Sequence, residues 1–207
     1  MNRLGKALLG VAGATAATYG IVAVAAPAPT GAGHRVEDLV RQLRHSGLEG
    51  RALVDAAIAT VAEAIPYHSA WHLWERPEDA LRHGRGWSHQ YNTVLLLVLR
   101  RLGFPARMVH AARVRGLQYP WFLSGHSWVK VDVDGRTLDA CASAATNRAG
   151  QINFVPLTPE LPMLVRTRFA VGLALSPFVV AEVWKSWITG RPVPDWVFGR
   201  REHRRTV

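Results

Sequence analysis

The chain has 207 residues, 49% of them hydrophobic, so there is room for one domain with a full core, and an intrinsically disordered chain is excluded. Its net charge of +10 rests on 25 basic residues, of which only Lys6, Lys130 and Lys185 are lysines. With no recognised binding motif beside them, that charge does not mark a nucleic-acid partner. A single cysteine, Cys141, excludes an internal disulfide framework and a multi-cysteine metal cluster.

In chain order, a short basic head (Arg3, Lys6) precedes an uncharged apolar run from Ala7 to Ala26. This is the plan of a secretory signal, with "AVA" at Ala23 to Ala25 as a small-residue cleavage site. The run is also long enough to stay uncleaved and cross a bilayer. Export or anchoring is therefore the expectation, against a cytoplasmic protein with an Ala-rich buried helix. A Pro/Gly-rich linker, Pro27 to Gly33, follows. Val36, Leu39, Val40 and Leu43 then repeat at helical spacing, and a second helix ends at Pro66. "YHSAWHLW" reads as an aromatic turn and "RPEDALRHG" as a short helix. The strongest helical signal runs from Trp87 to Leu102, closed by Gly103 and Pro105.

From Ala106 the texture becomes strand-like. "HSWVKVDV" alternates through Val129, Val131 and Val133, and Asp134-Gly135 marks a hairpin turn back through Arg136 to Cys141. Helices followed by antiparallel strands predict an α+β domain. The last fifty residues turn apolar again from Phe169 to Ala181, with Pro177 inside and Trp184 and Trp187 beyond. They read as a packed or membrane-surface helix, followed by the basic tail "RREHRRTV". The expected division is 1–33 for signal or anchor and linker, 34–158 for the core domain, and 159–207 for the C-terminal helical segment.

The chemistry-bearing residues fall in the middle of the chain. Ser88 opens the long helix, where free N–H groups and the helix dipole favour developing negative charge. As a plain alternative, Ser88 merely caps that helix. His126 opens a strand, and Asp139 lies on its hairpin partner. In a regular hairpin, facing residues sum to about 269, so His126 faces a position near Ser143, and a bulge or twist must bring Asp139 closer. Trp87, Tyr91 and Trp128 are expected to line a cleft. His89 reads as a polar rim residue, and Cys141 as a buried thiol rather than a relocated nucleophile. His68 and His72, four apart, lack the Glu of a metalloprotease helix, so neither metal nor cofactor is expected.

Together, "GRGWSHQYNTVLLLVLRRLGFPARMVHA" and "GHSWVKVDVDGRTLDA" resemble the core of the transglutaminase-like, papain-type cysteine enzymes. The resemblance covers residues 75 to 141 and implies a papain-like fold in which a nucleophile begins a core helix. "LGFPAR" follows that helix, and a His and an Asp are supplied from strands, here His126 and Asp139. The nucleophile's place holds Ser88 instead of Cys. A thiol near pH 8.5 is readily made a thiolate, whereas a hydroxyl needs a neutral, aligned base. The favoured expectation is an inactive or impaired cleft protein that binds a peptide or cell-envelope partner. The alternatives are an active Ser-His-Asp acyl transferase, amidase or peptidase, and a non-catalytic membrane-associated protein.

Overall fold

The computed structural model describes residues 2–29, 33–117, 123–163, 176–194 and 197. Helix α1 (Arg3–Ala25) starts where Asn2 accepts a hydrogen bond from the Gly5 N–H at 2.8 Å. Helices α2 (Val36–His45) and α3 (Gly50–Ala64) follow, each turning its apolar positions inward. A two-residue strand β1 (Tyr67–His68), helix α4 (Pro77–His83) and strand β2 (Arg85–Gly86) lead into α5 (Ser88–Arg101). The parallel pairing of β1 with β2 sets His68 beside Gly86, just before α5 begins. Gly86 lets the chain pack tightly here, since an added Cβ would come within 3.2 Å of Gln90 Cβ and 3.3 Å of Ala80 Cβ and make both shift slightly.

The sheet is antiparallel, built from β3 (Ala106–Gly116), β4 (Leu123–Val133), β5 (Arg136–Ala140), β6 (Phe154–Pro156) and β7 (Leu161–Pro162). The order is β5-β4-β3-β6, with β7 also on β3. The β4–β5 turn takes positive φ at both centres, Asp134 at 51° and Gly135 at 70°. That is the geometry of a tight two-residue hairpin and matches the Asp-Gly signal. The register pairs Lys130 with Asp139 and Val129 with Ala140, as the hairpin sum requires. The sheet's irregularity lies on the other side of β4, between Ala111 and Val114 of β3.

One core joins α2, α3 and α5 to the sheet, with Ile58, Leu95, Leu99, Trp128 and Val131 fully enclosed. A second cluster ties the chain's two ends together. Val22, Ala23 and Ala26 at the end of α1 meet Trp71 and residues Val179, Val180 and Val183 of α6 (Ser176–Thr189). The mixed helix and sheet arrangement agrees with the expected α+β class, and the long helix is shorter than expected by one residue at each end. Most of the apolar stretch from Phe169 to Ser176, and the basic tail, lie outside the described residues.

Candidate functional site

The start of α5 is closed by Gln90, not by Ser88. The Trp87 N–H donates to Gln90 Oε1 at 2.7 Å, and Gln90 Nε2 donates to the carbonyls of His72 and Glu75 at 2.8 and 2.9 Å. Trp87 is the N-cap, so Ser88 is the first residue inside the helix. Its hydroxyl is 1% exposed and makes no hydrogen bond among the described residues. The simple capping role is therefore ruled out by the geometry. An unsatisfied buried hydroxyl costs about 1–3 kcal/mol, whereas loss of a true cap costs about 1 kcal/mol. Ser88→Ala is accordingly expected to raise stability by about 1 kcal/mol, read as a higher urea midpoint, and a lowered midpoint would restore the capping role.

One turn further along α5, on the same face, sits Asn92, which is wholly buried. Its Nδ2 donates to the Ser127 carbonyl at 2.6 Å and lies 3.4 Å from Cys141 Sγ, while its Oδ1 accepts from the Ala142 N–H at 3.0 Å. Asn92 thereby stitches α5 to β4 and to the chain just past β5. On the far side of the sulfur, His126 Nε2 lies 3.3 Å from Cys141 Sγ. The ring of His126 is half-buried, edge-on to Phe154 at 4.6 Å and 6.4 Å from Tyr91. His68 stacks on Tyr91 at 5.1 Å and meets Trp87 at 6.4 Å, completing an aromatic surround.

Asp139 stands elsewhere. It faces Lys130, four residues along β4 from His126, a separation of about 13 Å at strand rise. Its Oδ1 accepts from Trp128 Nε1 at 2.7 Å and pairs with Lys130 Nζ at 2.7 Å. Lys130 also pairs with Glu160 at 2.9 Å. Burial pulls the Lys130 pKa down, but the hydrogen bonds to the two carboxylates outweigh it, and the net shift is upward. The regular β4–β5 ladder offers no bulge to slide Asp139 toward His126, so the expected orienting contact is replaced by a Cys141 contact.

Other expected site residues are also relocated. Trp128, expected on a cleft wall, is wholly buried against Phe154 at 5.3 Å, and Tyr91 is only 3% exposed. His89, expected on the rim, is buried too. His68 and His72 take separate partners. His72 Nδ1 is 2.7 Å from Ser69 Oγ, and the Ala23 backbone of α1 lies near the ring. Burial, helped by the Arg85 charge, lowers the His72 pKa and favours the neutral ring. Two open depressions of about 400 and 480 Å³ lie around Glu37 and Arg101, and neither is lined by Ser88, His126 or Cys141.

Cys141 and Asn92 are the residues that sequence reasoning undervalued. The hairpin sum had already put His126 opposite position 143, two residues from Cys141 and four from Asp139.

A sequence description of the transglutaminase-like superfamily matches residues 37–137, the segment that carries α2 to the β4–β5 hairpin. Residues 37–137 thus carry a transglutaminase-like core. Among solved structures, the chain is similar to a TGase at 13% identity and TM-score 0.40, covering 53% of this chain and 30% of that one. It is also similar to a candidate cysteine protease from Cytophaga hutchinsonii at 11% identity and TM-score 0.43, covering 66% and 51%. A third, a candidate protease from Parabacteroides distasonis, gives 15% identity and TM-score 0.37, covering 61% and 27%. The chain thus spans between about a quarter and a half of the length of these structures. No curated protein gives a significant match.

Proposed function

We propose that the protein is a catalytically silent member of the transglutaminase-like superfamily, holding a peptide or envelope partner at the rim formed by His68, Trp87 and His126. One observation carries this reading: His126 Nε2 rests on the Cys141 thiol, while the Asp139 carboxylate is committed to Trp128 and Lys130. A serine nucleophile needs a neutral imidazole that can accept its proton and a carboxylate that stabilises the imidazolium formed. In serine triads, loss of that carboxylate function lowers kcat by about 10⁴. The group found beside the ring is a sulfur and not that carboxylate, and the hydroxyl that the ring would serve is enclosed. An active Ser88–His126–Asp139 acyl transferase would require Asp139 to abandon both its partners and cross several residues of regular ladder.

Fluorophosphonate labelling tests the reading. The folded protein is expected to remain unlabelled under conditions that saturate an ordinary serine hydrolase. Labelling that disappears in Ser88→Ala would establish a working nucleophile and replace this proposal with the acyl-transferase reading. A photocrosslinking side chain at position 68 would report the partner, with a peptide adduct expected.

A further inference from the structure

We infer that α1 is retained in the mature protein as a bilayer-embedded helix whose last two turns are built into the domain, so that the lipid bilayer is its partner. This holds whether or not Ser88 is silent. A removable signal leaves behind a domain that is complete without it. Here Thr18, Val22 and Ala23 are at most 7% exposed. Trp184 Nε1 donates to Thr18 Oγ1 at 2.6 Å, and the Tyr19 hydroxyl donates to the Ala70 carbonyl. The Tyr19 ring meets Trp71 edge-on at 5.0 Å, and Trp71 is wholly enclosed. Cleavage after Ala25 would strip these residues away, baring Trp71 and orphaning the Trp184 indole N–H.

The rest of α1 has the opposite character. None of residues 3–17 is buried, and Leu4, Leu8, Leu9 and Val11 are 58–67% exposed. A second copy of the chain covers one face of a helix, but four turns bare around their whole circumference call for lipid. The helix has a mean hydropathy of 1.8 in its most apolar window, and residues 3–17, the part outside the domain, extend about 22 Å into a hydrocarbon core of about 30 Å. Arg3 and Lys6 put positive charge at the far end, where their long side chains reach on toward headgroup phosphates. At the near end, Trp74 packs 5.9 Å from Tyr19, and Trp187 sits one turn beyond Trp184. Both tryptophans are about half exposed, at the level where indoles favour the membrane interface.

The embedded helix also reaches the site. The Ala23 backbone lies close enough to His72 to favour its charged form, the His72 carbonyl accepts from Gln90, and Gln90 closes the first turn of α5 around Ser88. The rim would therefore be held close to the bilayer surface, within reach of membrane-proximal partners.

Fractionation of cells making the full chain tests this. The expected result is a membrane-fraction protein whose intact mass includes residues 2–25 and which resists alkaline carbonate. Leu8→Glu/Leu9→Glu/Val11→Glu, three exposed positions clear of the domain, is expected to reduce membrane recovery at least about tenfold, given the cost of charge at a helix centre. The urea midpoint of the soluble form should be unchanged. A mature N-terminus at Ala26 or Pro27, release by carbonate, or a triple variant still in the membrane fraction would each overturn the inference. So would a detergent-free soluble dimer of the unaltered chain.

Discussion

A chain carrying Ser88→Cys together with Cys141→Asp is expected to hold its one thiol about half ionised at about pH 6.5, where an ordinary thiol is about 1% ionised. The new sulfur would sit at the first residue of α5, among N–H groups that lack helical partners. The new carboxylate would take the place of the sulfur now 3.3 Å from His126 Nε2, fixing the ring's tautomer and supporting its positive charge. The reference is Ser88→Cys/Cys141→Ala, which has the same thiol without the carboxylate. Ultraviolet thiolate absorbance across a pH titration compares the two without requiring reagent access. Activated-ester hydrolysis should rise in the carboxylate variant over the reference, toward the factor of about 10⁴ that an orienting carboxylate supplies in serine triads. Identical titration curves would mean that position 141 does not govern His126, and the silent-site reading would lose its main support.

Asn92→Ala is expected to be the most destabilising single change at the site, by about 2–5 kcal/mol. Truncation leaves the Ser127 carbonyl and the Ala142 N–H without their partner in a region closed to water, at about 1–3 kcal/mol for each. For a chain of this size, that corresponds to a Tm lower by on the order of 10 °C. Thr137→Ala removes only an exposed hydrogen bond to Asp132 and should shift stability by less than about 0.5 kcal/mol. Urea unfolding of the two variants beside the unaltered protein measures the contrast. A loss below about 1 kcal/mol for Asn92→Ala would show that the chain near Cys141 is held by other contacts.

The parts of the fold legible in the sequence are those written in local patterns. The apolar period of α5, the Asp-Gly turn and the alternating valines of β4 each depend on neighbours within a few residues, and each is found in place. The hairpin arithmetic even gave the register that seats Asp139 opposite Lys130. Cys141 is buried, as its residue type suggests, but it stands where His126 meets it, a contact that the register left open and the expected carboxylate partner drew attention away from. What sets the position of Cys141 is Asn92, 49 residues away, drawing the chain beyond β5 toward α5. Nothing periodic records such a contact. The same holds for the Gln90 bonds to His72 and Glu75, 18 and 15 residues back, which displace Ser88 from the capping role that its residue type suggests.

The bond between Thr18 and Trp184 joins residues 166 apart, and Trp71 waits for the carbonyl of Val197, 126 residues later. During synthesis at about 5–20 residues per second, α1 is therefore finished some ten to thirty seconds before its packing partners exist. Through that interval its apolar surface needs shelter that the growing chain cannot supply. A bilayer entered early would provide it, and the late arrival of α6 would then dock the finished domain onto a helix already in place. Assembly would thus run from the membrane outward, with the two ends of the chain the last parts to meet.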